Sequence, residues 1–409
     1  MSLTLDLGIP NVLEMLRNET RRKRSRPITT VNLQCFNPDS HIFGGAVLSD
    51  TEMHNIFKYV GLAYPWLKEI QMKVFELPLR ASALRVLLDQ TKENLQSLDM
   101  CNVILKGSQD EFEALSNTLQ QHKLLKQVGL DWCHPMSGGS LETVLNGLCN
   151  LKTLNQVLIC GSVLSITSLR VLCSKESIQS LSLQNDTFTE DSITCMAEAL
   201  ESNHHLREFC GRLCGMDIAT GKRFSNIIRV NNTLERLELQ IDDKDWKAYG
   251  QCVTSALKVN STLKYVTIYI DGNDTDLTFT ADILTDALEN HLSIKCMHLH
   301  VRGYFQKDAL RRAFAGLIIG VLKKDTNHIL QDLYIEGVPM SNEAATYLKA
   351  NRAGLHNLKK NLECNNLWAN ALIRAKNDLA LSHFLLSVNP SVLCNVRPIN
   401  EFELLEADC

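Results

Sequence analysis

The chain has 409 residues, of which 45% are hydrophobic and 22% are charged, and its formal net charge is -4. This composition is typical of a folded chain and excludes a wholly disordered one. The small negative charge excludes a global positive field that would draw the protein to nucleic acid or to an anionic membrane.

The cysteines and the hydropathy pattern predict a compartment. Fourteen cysteines are scattered singly, and no two have the two-residue spacing of a zinc knuckle. The chain opens without a signal-peptide pattern, and its longest apolar run, residues 313–322, is too short to span a bilayer. We therefore expect free thiols, no membrane, and a cytoplasmic location, with a nuclear one as the alternative.

The first 66 residues predict an N-terminal cap. A helix is expected over about 12–24, a weak strand over 30–34 and a second helix over about 50–62. The densest charge cluster lies at the end of the first helix and consists of Arg21, Arg22, Lys23, Arg24 and Arg26. Because Pro27 disfavours a helix there, the cluster is expected to be exposed, either as a solvated helix end or as a nuclear-import or anion-contact site.

The main signal is a repeated phrase of the form Leu-x-x-Leu-x-Leu, in which other apolar residues replace Leu. It recurs ten times at steps of 24 to 36 residues, beginning at Leu67, Leu95, Leu125, Leu154, Ile178, Leu206, Leu234, Leu263, Ile294 and Leu330. A weaker copy begins at Ile28, and the sixth phrase is degenerate because Gly211 takes an apolar position. The alternation inside each phrase predicts a short strand.

The segments between phrases change to a helical period. Ile193, Met196 and Leu200 lie on one face of such a helix, and Asn203 follows it. We expect this Asn to adopt the left-handed conformation that ends many helices. Each repeat then contributes one strand and one helix, which predicts an α/β solenoid of about ten repeats over 67–340, with a concave parallel sheet and convex helices.

Two segments, 253–268 and 196–206, resemble repeats of the ribonuclease-inhibitor-like leucine-rich-repeat family. The resemblance covers about 67–340 and implies a horseshoe-shaped leucine-rich-repeat fold, which hosts many partners and therefore implies no particular activity. The region 347–394 is also similar to the C-terminal ends of uncharacterised leucine-rich-repeat proteins of microalgae.

The C-terminal end predicts a helical cap over 341–396. Ser341 and Asp378 are expected to cap two of its helices, and Gly354 is expected just after the first one. Residues 397–409 form an acidic tail with apolar residues interleaved. This tail predicts either a frayed end or a short docking peptide.

The concave face can be read from the repeats, because alternate strand residues point to opposite sides of a sheet. Seven acidic and three basic side chains are predicted on that face, which disfavours nucleic acid as its ligand. The last three strands gather aromatic, imidazole and carboxylate groups, and we expect a protein partner to bind there. The predicted partner-binding residues are Tyr265, Tyr269, His298, His300, Asp332, Tyr334 and Glu336. An uncharged stretch around Leu158 and Ser180 is the alternative surface.

Chemistry other than binding finds little support in the sequence. Cys296, His298 and His300 alternate on one strand and could form a zinc arm, but no second ligand cluster accompanies them, and we expect no metal or cofactor. A glycine-rich phosphate loop with its lysine and a Gly-x-Ser-x-Gly motif are both absent. We therefore expect a non-catalytic scaffold for protein–protein interaction. The alternatives are a GTPase-activating regulator, since one branch of the resembled family activates GTP hydrolysis, and the sensor arm of a larger receptor.

Overall fold

The structure is a computed structural model. In it the chain forms two compact units, Met1–Gln240 and Ile241–Cys409. It describes residues 2–6, 12–20, 28–35, 49–131, 134–135, 138–161, 164–184, 189–212, 218–271, 277–291, 293–302, 314, 320–322, 329–362 and 364–390. The basic cluster at 21–26 and the acidic tail at 397–409 lie outside the described residues.

Strands and helices alternate throughout the first unit. Its elements are β1 (Ser2–Asp6), α1 (Val12–Thr20), β2 (Thr30–Cys35), α2 (Asp50–Ala63), β3 (Glu69–Arg80), α3 (Ala81–Thr91), β4 (Ser97–Lys106), α4 (Gln109–Gln120), β5 (Gln127–Asp131), β6 (His134–Pro135), α5 (Gly138–Cys149), β7 (Gln156–Cys160), α6 (Ile166–Ser174), β8 (Ser180–Gln184), α7 (Glu190–Ser202), β9 (Glu208–Arg212), α8 (Ile218–Val230) and β10 (Arg236–Asp242), in which the unit ends.

The strands of this unit form a parallel sheet. They lie side by side in the order β1-β2-β3-β4-β5-β7-β8-β9-β10, while the two-residue β6 pairs with β4. Successive strands enter the sheet in the same direction because a helix connects each to the next. In β8 the side chains of Leu181 and Leu183 are buried, whereas those of Ser180, Ser182 and Gln184 are half-buried. One side of the sheet therefore faces the core and the other side is open.

The second unit continues the same alternation and then becomes helical. Its elements are α9 (Asp243–Val259), β11 (Tyr265–Asp271), α10 (Leu277–Asn290), β12 (Cys296–Arg302), β13 (Asp332–Ile335), α11 (Asn342–Arg352), α12 (Leu355–Lys360), α13 (Asn365–Arg374) and α14 (Leu379–Val388). Strands β11, β12 and β13 are parallel neighbours in that order. The prediction of an α/β leucine-rich-repeat fold with a parallel sheet is confirmed.

The predicted C-terminal helix caps are also present. The backbone N–H of Ala344 donates to Oγ of Ser341 at 3.1 Å, and that of Leu381 donates to Oδ1 of Asp378 at 3.0 Å. Gly354 has φ +86, the left-handed conformation that glycine adopts without steric cost. Trp368 and Leu385 are fully buried and lie at the centre of the helical cluster that follows. These helices therefore have a core of their own.

The N-terminal segment is more regular than the sequence analysis predicted. Residues 2–6 form a strand that pairs in parallel with β2, with Leu3 opposite Val31 and Leu5 opposite Leu33. The analysis missed this strand because it is short and lacks the repeated phrase. The expected strand over 30–34 is present as β2, and it pairs with β3. The weak copy at Ile28 therefore contributes a full strand to the sheet.

The prediction that Asn203 adopts the left-handed conformation is wrong. Its φ is -81 and its ψ is 123, so the backbone is extended and not left-handed. The buried side chain forms hydrogen bonds instead. Its Oδ1 accepts from the backbone N–H of His205 at 2.8 Å and of Leu206 at 2.7 Å, while its Nδ2 donates to the carbonyl of Cys173 at 2.6 Å. One side chain thus closes the turn before β9 and attaches it to the preceding repeat.

Gly211 in the degenerate phrase is compensated by a larger neighbour. A Cβ atom at this position would lie 2.7 Å from Cε1 of Phe209, because the phenyl ring already occupies that space. The same ring packs near Phe224 of α8, with 6.1 Å between ring centroids. The layer is therefore filled although one of its apolar positions holds no side chain.

Membrane insertion finds no support in the helices. None of those within the described ranges is long and apolar enough to cross a bilayer.

Replacing Asn203 by Ala should lower the free energy of unfolding by about 2–4 kcal/mol, because two backbone N–H groups and one carbonyl lose buried partners. The matched control is Asn150→Ala, which removes an exposed Asn after α5 and should cost about 0.5 kcal/mol or less. Urea unfolding followed by circular dichroism measures both. Equal losses in the two variants would contradict the role of the Asn203 side chain.

His122 occupies the corresponding place in an earlier repeat and should make the protein sensitive to mild acid. Neither ring nitrogen has a hydrogen-bond partner among the described residues, and burial lowers the pKa of this histidine to about 4. The unfolded chain, with an ordinary histidine pKa near 6.5, binds the proton more tightly, so stability falls as the pH drops from about 6.5 towards 4. The loss from this one group should approach about 3 kcal/mol.

Replacing His122 by Asn should remove that component and leave a flatter dependence of unfolding free energy on pH between 7 and 4. His204→Asn, at an exposed position, is the control and should leave the wild-type dependence unchanged. An identical pH dependence in wild type and His122→Asn would show that His122 isn't the titrating group.

Candidate functional site

The structure brings together the residues that the sequence analysis assigned to a partner site. Tyr265 and Tyr269 lie on β11, His298 and His300 on β12, and Asp332 and Tyr334 on β13, with Glu336 just after it; all belong to the second unit. The strand register places Cys296 between Tyr265 and Asp332, places His298 between Thr267 and Tyr334, and sets Tyr269 beside His300. Residues far apart in sequence are thus neighbours across the sheet.

The pleat of β11 explains why these side chains face outward. Val266, Ile268 and Ile270 are buried on the core side, so the residues between them point to the open side. Tyr265 is 39% exposed, and Tyr334 on β13 is 46% exposed. The open face of the second unit therefore presents two large rings to solvent.

Four rings form a contiguous group, here called the ring cluster: Tyr269, His298, His300 and Tyr334. Tyr269 and His300 stack with 4.5 Å between centroids and 13° between planes. Tyr334 lies 5.3 Å from the His300 ring at 47°, and 5.8 Å from the His298 ring in an edge-on arrangement at 70°. Such offset and edge-on pairs are favourable geometries for aromatic rings. The cluster is therefore held in place by its own contacts.

Two carboxylates flank the ring cluster. Oε2 of Glu336 lies 3.2 Å from Nδ1 of His300. Oδ2 of Asp332 lies 3.6 Å from Nε2 of His298, which is too long for a hydrogen bond. Protonation of either imidazole would therefore place a cation directly against a carboxylate.

The sequence analysis missed one member of this site, Arg352 at the end of α11. Its Nη2 lies 3.3 Å from Oδ1 of Asp332, and its Nε donates to the carbonyl of Gln331 at 2.7 Å. Nothing in the repeated phrase indicates this contact, because Arg352 belongs to the helix that follows β13. The register of that helix against the strand decides which carboxylate it reaches.

A metal centre at Cys296, His298 and His300 finds no support. Within the described part of the chain, no group of three or more histidine, cysteine, aspartate or glutamate side chains could hold a metal ion. His300 instead stacks on Tyr269 and His298 approaches Asp332.

The open face of the first unit has a different character. Glu69 accepts hydrogen bonds from Oγ1 of Thr30 at 3.1 Å and from Nε2 of Gln71 at 2.6 Å. Burial raises the pKa of Asp99, and the neighbouring Asp131 and Glu69 raise it further, while Lys73 lowers it. Glu69 is thus satisfied by its own chain, whereas Asp99 lies partly buried among other carboxylates.

Gly129 makes room for one of these carboxylates. A Cβ atom at this position would lie within contact distance of Oδ1 of Asp99, closer than any real side chain allows. Gly129 lies in the third repeated phrase, and its presence there could have indicated this contact from the sequence alone. A missing side chain on the open face indicates that a neighbouring residue leans over it.

Two thiols on the open face of the first unit, Cys101 and Cys210, are poor nucleophiles. Burial raises the pKa of Cys101 to about 11, and Asp131, which accepts a hydrogen bond from its Sγ at 3.4 Å, adds to the effect. Burial likewise raises the pKa of Cys210 to about 11, with Glu238 as the second cause. Because the thiolate is the reactive form, both groups are largely unreactive near neutral pH.

The uncharged stretch that was the alternative surface is part of the same open face. Leu158 lies opposite Ser182 and Gln156 opposite Ser180, and the Leu158 side chain is only half-buried. It offers no charged group and no aromatic ring.

Comparison with known proteins adds little. No protein-family model and no curated protein matches the sequence. Among solved structures, the chain is similar to one described as leiomodin-1 actin-binding site 2, at 16% identity, over 37% of this chain and 84% of the other, with a TM-score of 0.29. A likeness of this strength carries no argument about function.

Thiol modification at pH 7.5 should distinguish the cysteines by their surroundings. Exposed Cys364 should react with an aromatic disulfide reagent at least about tenfold faster than Cys101 or Cys210, because their thiolate fractions are small. The rates of the two slow thiols should rise as the pH approaches 11. Peptide mapping by mass spectrometry after timed quenching measures each site. A Cys101 rate equal to that of Cys364 would contradict the assignment.

Proposed function

We propose that this chain is a non-catalytic scaffold of the ribonuclease-inhibitor-like leucine-rich-repeat kind, which binds a protein or peptide partner on the open face of its second unit. The observation that carries the proposal is the ring cluster with its two flanking carboxylates. Tyrosine is enriched at the energetic centres of protein interfaces because it combines a large apolar face with one polar tip. Tyr265 and Tyr334 are the two anchors.

Preorganisation supports the same proposal. The rings of Tyr269, His300 and Tyr334 already contact one another, and the hydrogen-bonded strands beneath them fix their backbones. A partner would therefore order few additional side chains on this surface, which lowers the entropic cost of association. The polar groups at the edge of the cluster would supply orientation.

Two further proposals concern catalysis and cellular location. We propose that the chain is not an enzyme; the raised pKa values of Cys101 and Cys210 speak against these two thiols as nucleophiles. A cytoplasmic location, with the basic cluster at 21–26 as a nuclear-import signal, fits the scattered unpaired cysteines.

The test is quantitative affinity capture from a native lysate of the source cells, with the tagged full chain as bait. Tyr265→Ala with Tyr334→Ala forms the site variant. Gln127→Ala with Gln156→Ala is the matched control, since these exposed neighbours lie on the open face of the first unit. A specific partner should be retained by wild type and by the control and lost from the site variant. With the recombinant partner, each tyrosine change should weaken binding by more than about 1 kcal/mol.

Unchanged circular dichroism and thermal unfolding of the site variant must accompany that result, because a folding defect would also lose a partner. A partner that binds wild type and site variant with equal affinity would refute the proposed face. Loss from the Gln127 and Gln156 control alone would place the interface on the first unit.

A further inference from the structure

The charges around the ring cluster are unevenly compensated. Asp332 is paired with the guanidinium of Arg352 at 3.3 Å. Glu336 has His300 as its one basic neighbour within the part of the chain that the structure describes. Of the two carboxylates that flank the ring cluster, Glu336 is therefore the one that pairs with no guanidinium or ammonium group of the described residues.

That carboxylate lies beside an accessible aromatic surface. The side chain of Glu336 is 46% exposed, and it contacts His300, which in turn is 5.3 Å from the exposed ring of Tyr334. Tyr269, stacked on His300 at 4.5 Å, backs the imidazole from the other side. The negative charge thus lies close to an exposed tyrosine ring, an arrangement that attracts a cation.

We infer that the partner segment carries an arginine, whose guanidinium lies over the Tyr334 ring and donates hydrogen bonds to Glu336. This inference rests on the proposed function and names the chemistry of the partner. A guanidinium is planar, so it can stack on a ring while its N–H groups point in the same plane towards a carboxylate. An ammonium is a strongly hydrated point charge and gains less from the ring face.

The chain already pairs one guanidinium with a carboxylate at the edge of this site. Arg352 approaches Asp332 with Nη2 and uses its Nε for the carbonyl of Gln331 at 2.7 Å. That contact compensates Asp332 and leaves Glu336 for a group from outside. The partner's arginine is therefore expected at Glu336 and not at Asp332.

The test uses the full chain with ¹³C-labelled tyrosine and histidine side chains, observed by nuclear magnetic resonance at pH 7.5. The probe is N-acetyl-arginine amide, and the matched control is N-acetyl-citrulline amide, which has nearly the same shape without the charge. The arginine probe should shift the Tyr334 and His300 signals in a saturable way, at concentrations at least about fivefold lower than citrulline requires. Tyr334→Phe assigns its own signal.

Glu336→Gln should weaken binding of the arginine probe by at least about fivefold, because the carboxylate becomes a neutral amide. Glu208→Gln, the same change on the open face of the first unit, should leave it unaltered. N-acetyl-lysine amide should bind more weakly than the arginine probe.

Equal shifts from arginine and citrulline, or no effect of Glu336→Gln, would overturn the inference. A lysine probe that binds as tightly as arginine would overturn the choice of guanidinium. These failures are separable from failure of the proposed function. If a captured partner depends on Tyr265 and Tyr334 but the arginine probe does not bind, the proposed interface is retained and only the partner arginine is refuted.

Discussion

The structure depends on closing the turn that leads from each helix into the next strand. That turn buries backbone N–H groups, and a buried N–H without an acceptor costs about 1–3 kcal/mol. Asn203 supplies the acceptor with Oδ1 and uses Nδ2 to bind the preceding repeat. Asn231 repeats the arrangement, with Leu234 donating to it at 2.9 Å and the carbonyl of Leu200 accepting from it at 3.1 Å. Because these two turns are each fixed to the preceding repeat, β9 and β10 enter the sheet in register.

Most of the fold could be predicted from the sequence, since period two inside the phrases and period 3.6 between them are set by backbone geometry alone. The same periodicity assigned the faces, and so it placed Tyr265, His298 and Tyr334 on neighbouring strands before their contacts were known. The periodicity did not predict contacts that a side chain forms with a neighbouring repeat. The extended Asn203 and the Arg352–Asp332 contact both depend on what the adjacent repeat offers, which a pattern within one repeat does not contain.

Irregular positions in the repeats come in compensating pairs. Phe209 fills the space beside Gly211 on the core side, and Asp99 leans over Gly129 on the open side.

A histidine replaces the turn asparagine twice. At position 291 its Nδ1 accepts the N–H of Ile294 at 3.1 Å, whereas at position 122 neither ring nitrogen has a partner among the described residues. The same substitution is therefore satisfied in one repeat and leaves a weak point in the other.

The pleat separates the requirements of folding from those of binding. Core-side residues of each strand must fill a layer that neighbouring repeats share. These positions are therefore apolar, and the fold can be predicted from them. Open-side residues meet no such constraint, and the two units use that freedom differently. In the first unit Glu69 is satisfied by Thr30 and Gln71 of its own chain. In the second, the one basic side chain beside Glu336 in the described part of the chain is the imidazole of His300, and the half-exposed ring of Tyr334 is nearby. An exposed carboxylate whose one basic neighbour among the described residues is an imidazole adds little to the stability of the repeat, which agrees with its proposed role in binding.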